Sequence, residues 1–185
     1  MWLRKESNRL QDRNLYINDV VEFLMSQDKR LLTLWGDPMN GRSSILEKAI
    51  KIVIAHRPEI YIKRPMYQVH QIDMGNKPRS QICQEIVKVL NLQIKEPSID
   101  LISEELSRKK MLLYFKDCKM LKEEENVREL FKILRQLNLN TQHSNAHVKT
   151  VVILSKKPKD QNREYEQQIE IPMMSPEGKC MFFIH

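Results

Sequence analysis

The sequence predicts an α/β fold of three layers, with helices on both faces of a central, mainly parallel sheet of about five strands. Short apolar runs bounded by turn residues alternate along the chain with longer segments of helical periodicity. The first apolar run passes through a glycine-containing turn directly into a helix. At 185 residues and 41% hydrophobic content, the chain has material for one sizeable core.

Residues 1–14 are polar and charged without clear periodicity and read as an N-terminal arm. The folded domain is expected over 15–174. It opens with Ile17, Val20, Val21 and Leu24 at helical spacing, followed by a buried strand at Leu31–Trp35, bounded by Gly36 and Pro38. Ile45, Ala49, Ile52 and Val53 mark the next helix, and Tyr67–Asp73 alternates as a strand. Ile82, Ile86 and Leu90 form a helix with Ser80 as its expected cap, and Ile99, Ile102 and Leu106 form another. Met111–Phe115 is a buried strand. Val127, Leu130, Phe131, Leu134 and Leu137 give the cleanest helical stripe, with Glu123, Glu124 and Glu125 suited to its first turn. A polar loop is expected at 139–147, strands at Val148–Leu154 and Gln168–Ile171, and a charged loop between them. Ser175 and Pro176 then open a last helix over 175–185, cut short by the chain end.

Composition narrows the function classes. No apolar stretch reaches the roughly 18 residues of a membrane span, and no signal-peptide core follows Met1. Cys83, Cys118 and Cys180 are widely spaced and form no C-x-x-C pair, so an intracellular, reducing setting is expected, the cytoplasm by default. The net charge of +7 permits nucleic-acid binding, but the basic residues are scattered and aromatics are 6%, few for a base-stacking surface. Nucleic acid is therefore disfavoured as a partner. His143 and His147 lie in a polar stretch without a nearby carboxylate, which argues against zinc.

The chemistry concentrates at Gly36-Asp37-Pro38-Met39-Asn40-Gly41-Arg42-Ser43, which fits G-x-x-x-x-G-K-[ST] at every defined position but the lysine. The chain has only four glycines, and two of them stand at the required places. Such glycines let backbone N–H groups curl around an anion while the following helix adds its unpaired donors and dipole. Phosphate is the natural guest. Arg42 retains the charge of the usual lysine but is a larger planar fork, which favours weak binding over efficient phosphoryl transfer. An acidic element is expected after the third strand, where Lys116 takes the first of two acidic places and leaves Asp117 alone.

The chain resembles the nucleotide-binding domain of the STAND class of P-loop NTPases, the NB-ARC type of signal-transduction ATPases. The likeness runs through Val20–Leu24, Lys29–Gly36, Leu112–Leu121, Val151–Lys156 and Ile171–Glu177, in the family's order. The family's Gly-Arg pair falls on Asp12-Arg13, its third loop glycine on Met39, its lysine on Arg42, and the arginine of its sensor strand on Lys156. The resemblance implies a P-loop NTPase three-layer sandwich, with 175–185 the start of a helical lid. It implies ATP or ADP, with or without magnesium, held by Gly36, Asn40, Gly41, Arg42, Ser43, Ser44, Arg13 and Lys156. Asp117 would be the residual catalytic acid, and Ser43 with Asp117 would face the metal. Departures cluster at phosphate- and metal-facing positions, which implies a degenerate domain rather than an enzyme: a regulatory or scaffolding module whose partners are proteins or further domains of the same chain. The alternative is a domain that binds no nucleotide, with Met39 and Arg42 filling the phosphate cradle. An active ATPase is the third reading.

Overall fold

The computed structural model describes residues 3–55, 67–142, 147–159 and 164–172. The elements run α1 Leu3–Met25, β1 Leu31–Trp35, α2 Arg42–Ala55, β2 Gln68–Ile72, α3 Ile82–Val89, α4 Ile99–Leu106, β3 Lys110–Phe115, α5 Glu124–Thr141, β4 His147–Leu154 and β5 Glu166–Glu170. Short 3-10 turns at Arg79–Gln81 and Met120–Lys122 lead into α3 and α5. All five strands lie in one sheet, in the order β2-β3-β4-β1-β5. Every neighbouring pair is parallel, so the expected α/β fold with a five-stranded parallel sheet is the observed one.

Alternation along the strands splits the core in two. Leu32, Leu34, Leu112, Val151 and Ile153 face α1 and α2, where they meet Val20, Phe23, Ile45 and Ala49. Leu31, Leu113, Phe115, Val152 and Leu154 face the other way, towards α3, α4 and α5. β1 and β4 are covered on both faces, which is why their residues read as continuous apolar runs. The edge strand β5 is polar in sequence, and its buried Glu166 is held by Arg135 of α5 in a bidentate ion pair at 2.7 and 3.1 Å.

Three expectations need correction. The segment expected as an arm is helical from Leu3 and continuous with the rest of α1. No glycine or proline interrupts it, and Arg, Lys, Gln and Leu are strong helix formers even where no apolar stripe is visible. Ser80 does not cap α3. It lies within the preceding 3-10 turn, and the cap position belongs to Gln81, without a side-chain hydrogen bond. The polar loop expected from residue 139 begins later, because α5 continues to Thr141, whose hydroxyl bonds back to the Leu137 carbonyl at 2.8 Å. The expected helix at 175–185, together with Met173, Met174, His143 and Cys180, lies outside the described residues.

The topology prepares one place on this sheet. After β1 the chain turns into α2 on one face, whereas after β3 it reaches α5 on the opposite face, with β4 between them. Connections that diverge in this way leave a crevice at the carboxyl ends of the strands, where ligands of open α/β sheets bind.

Candidate phosphate-binding site

The turn after β1 is coiled. Gly36, Met39 and Gly41 have φ of 144°, 69° and 82°, so half the residues between β1 and α2 adopt conformations that L side chains rarely take. At Gly36 the reason is contact: a Cβ would collide with the Ile171 carbonyl and the Asn40 side-chain amide. At Gly41 a Cβ would come within 2.7 Å of the Arg13 guanidinium. Met39, where the sequence resemblance expects a glycine, has a glycine-like backbone at a steric cost and leaves its side chain 80% exposed.

The loop is fastened from outside. Arg13 of α1 donates to the Asn40 carbonyl at 2.9 Å, and burial pushes its guanidinium below the ordinary pKa. Asn40 is buried, and its side-chain Nδ2 donates to the Ile171 carbonyl beyond β5. Its Oδ1 has no partner among the described residues. These bonds bring the chain ahead of β1 and the chain after β5 to the same turn.

The first turn of α2 presents free donors. The Ile45 amide donates to the Gly41 carbonyl at 2.9 Å, while among the described residues nothing accepts from the amides of Gly41, Arg42, Ser43 or Ser44. Such a row of amides at a helix start suits an anion. Ser43 is half-buried and Ser44 exposed.

Arg42 departs from the expected role. Its side chain is 6% exposed and runs beneath the loop to the ends of β3 and β4. There Nη1 donates to the Leu154 carbonyl and Nη2 pairs with Asp117 Oδ2 at 3.0 Å. The two residues read separately from the sequence, one for phosphate and one for metal, are thus partners of each other. Asp117 Oδ1 stays buried without a partner. Lys116 is exposed, and its backbone amide donates to the Ile72 carbonyl. Lys156, also exposed, follows Ser155 just beyond the carbonyl that Arg42 holds.

The donor set can therefore be judged against the two groups the fold family implies. The loop's open amides fit an anion such as a nucleotide phosphate, whereas the orphaned Asn40 Oδ1 and Asp117 Oδ1 are acceptors that suit a donor such as water rather than a phosphate oxygen. Magnesium fits poorly, since Asp117 is already balanced by Arg42 and Ser43 adds only a hydroxyl. No cluster of three metal-ligating side chains occurs among the described residues. The sequence missed the Arg42–Asp117 contact because it spans 75 positions, and no local pattern signals it.

No family model matches the chain, and no curated protein is similar to it. Solved structures do resemble it. The Aeropyrum pernix ORC2 protein, solved in ADPNP-ADP complexes, superposes with a TM-score of 0.60 at 12% identity, covering 88% of this chain and 47% of that one. A Drosophila ORC chain from the complex with poly(dA/dT) DNA and Cdc6 gives 0.55 at 10% identity, over 96% and 33% of the two chains. A chain of Drosophila ORC bound to DNA gives 0.52 at 14% identity, over 88% and 42%. The present chain spans less than half the length of each of these. At such identities the likeness establishes the fold alone, and that fold is the P-loop NTPase α/β sandwich.

Proposed function

We propose that this chain is a STAND-like P-loop module that holds ATP or ADP weakly and serves as a regulatory or scaffolding part of a larger protein or assembly. The observation that carries this reading is the division of labour around Arg42: the loop keeps its coiled backbone and open amides, while its cation is committed to Asp117 and the Leu154 carbonyl. Phosphate is then met by the amides of Gly41 to Ser44 and the helix dipole, with Arg13 and Lys156 at the margins. Gly36 and Asn40 keep the loop in shape. Catalysis is disfavoured, because the residue that would neutralise the transferred phosphoryl group and the acid that would hold a metal neutralise each other.

Among the described residues no helix is long and apolar enough to cross a membrane, and Cys83 and Cys118 are free thiols, which suits a reducing compartment. The partners on this reading are proteins or further domains of the same chain.

Calorimetric titration with ADP and ATP tests the proposal. Dissociation constants on the order of 0.1–1 mM are expected. Arg42→Lys, which replaces the fork with a compact charge free to reach phosphate, should tighten binding about tenfold, the worth of one charge-assisted hydrogen bond. Absence of binding by either form at about 10 mM, near the weak limit of measurable affinity, rejects the nucleotide reading. It leaves the purely structural one, though Met39 is exposed and Arg42 turns to Asp117, so neither side chain fills the cradle as that reading expected. Steady ATP turnover lost in Asp117→Ala would instead establish the enzyme reading.

A further inference from the structure

Beside the loop, on the opposite face of the sheet from α1 and α2, lies a cleft between the start of α5 and the segment after β4. It encloses about 250 Å³. Small-molecule sites are commonly larger, about 300–1,000 Å³. Its floor is apolar: Leu121, Phe131, Leu154 and Pro158 are buried, with Val127 half-exposed above them. Its rim is cationic, with Lys122, Arg128, Lys156, Lys157 and Lys159 around a single carboxylate, Glu124.

That carboxylate shows what the rim accepts. Glu124 Oε2 receives a hydrogen bond from Lys159 at 2.6 Å, and Oε1 pairs with Arg128 at 3.4 Å, so one acid bridges the two walls at the mouth. The Lys159 contact, chiefly, holds the Glu124 carboxyl below its ordinary pKa. Among the described residues no carboxylate lies within ion-pair reach of Lys122, Lys156 or Lys157. Lys157 rests 5.9 Å from the Trp35 ring centre. The rim therefore holds three further cations that an incoming acid could meet.

From this pairing of an apolar floor with uncompensated lysines, we infer that the cleft is a docking site for an acidic peptide segment of a partner protein, one apolar side chain seated against the half-exposed Val127 over the floor and flanking Asp or Glu residues on Lys122, Lys156 and Lys157. Charge complementarity selects the flanks, and the confined apolar floor selects the anchor. Single-stranded nucleic acid would meet the lysines but not the floor, because Phe131 is 2% exposed and offers no ring face for base stacking. Lys156 borders both the cleft and the proposed phosphate site, but the amides of the loop lie outside the cleft, and the charge reversals used below leave Lys156 in place.

Fluorescence anisotropy of the full chain with three labelled probes tests it: an acidic twelve-residue peptide with a central Leu-Phe pair, the same peptide with Ser-Ser at the centre, and a twelve-nucleotide single-stranded DNA. The first peptide should bind, weaken several-fold as salt is raised, and lose at least tenfold on the Ser-Ser change. Lys122→Glu with Lys157→Glu should weaken it at least tenfold while leaving the thermal melt unchanged. Equal binding of the Ser-Ser peptide, tighter binding of the DNA, indifference to charge reversal, or no binding of the first peptide at millimolar concentration would each overturn the proposal.

Discussion

The sheet carries a buried cation at each end, and the two are satisfied in different ways. At the carboxyl end, Arg42 has a carboxylate partner in Asp117 and a carbonyl in Leu154. At the amino end, Lys149 of β4 is 2% exposed and pairs with no carboxylate among the described residues: its Nζ donates to the carbonyls of Phe23 and Lys29, each at 2.6 Å, and sits 4.5 Å from the Phe23 ring centre. Desolvation, with Arg30 nearby, pushes Lys149 from its ordinary 10.5 down to about 7, against a smaller opposing pull from Asp28. One cation is thus ion-paired and ties the start of α2 to the ends of β3 and β4, whereas the other titrates near neutrality and ties α1 to the start of β1. The contrast teaches that an ion pair sits at the crevice beyond the carboxyl ends of the strands, and a titratable group sits away from it.

Removing Arg42 should cost the most stability. Arg42→Ala leaves Asp117 in a partly buried place without its partner and frees the Leu154 carbonyl, which should cost about 3 kcal/mol in urea unfolding. Arg42→Met combined with Asp117→Leu should recover most of that loss. If the single change is neutral, the two ends do not differ in the way described.

Acidity separates the ends next. In the unfolded chain Lys149 holds its proton up to about 10.5, and in the folded chain only to about 7. Between those values the unfolded state binds the extra proton, so stability contributed by this site rises with pH; below 7 the full cost is present and constant. Measured against Lys149→Met, the wild type should gain up to about 1.4 kcal/mol per pH unit from pH 7 towards 10. Arg42→Met retains Lys149 and should therefore keep the same slope against Lys149→Met. Parallel curves for Lys149→Met and the wild type would remove the titratable half of the comparison.

The smallest effect concerns the loop itself. Met39→Gly relieves a left-handed backbone without losing a buried contact, and should raise stability by about 0.5–1 kcal/mol. A fall in melting temperature would mean that the exposed side chain does something its surroundings do not reveal.

Much of this architecture was legible because it is periodic or local. The apolar runs at Leu31–Trp35 and Met111–Phe115 became buried strands with at most one residue added, and the glycines at 36 and 41 mark the coiled turn. The start of α1 was not legible, since a helix can form from propensity and length without showing an apolar stripe over its first turns. The buried Lys149 was hidden for a related reason: within VKTVVIL it occupies an inward position, and a pattern cannot say that two carbonyls wait there.

What the sequence determined by itself was the alternation of strands and helices, the place of the coiled turn, and an arginine where the phosphate-loop pattern has lysine, because these rest on short-range stereochemistry and the spacing of apolar residues. Only the tertiary structure decided that Arg42 turns to Asp117 rather than to the loop, and that scattered lysines from the turn before α5 and the segment after β4 converge on one cleft. Those outcomes depend on which strand ends the parallel topology sets side by side, and contacts between distant parts of the chain have no signature in any local window.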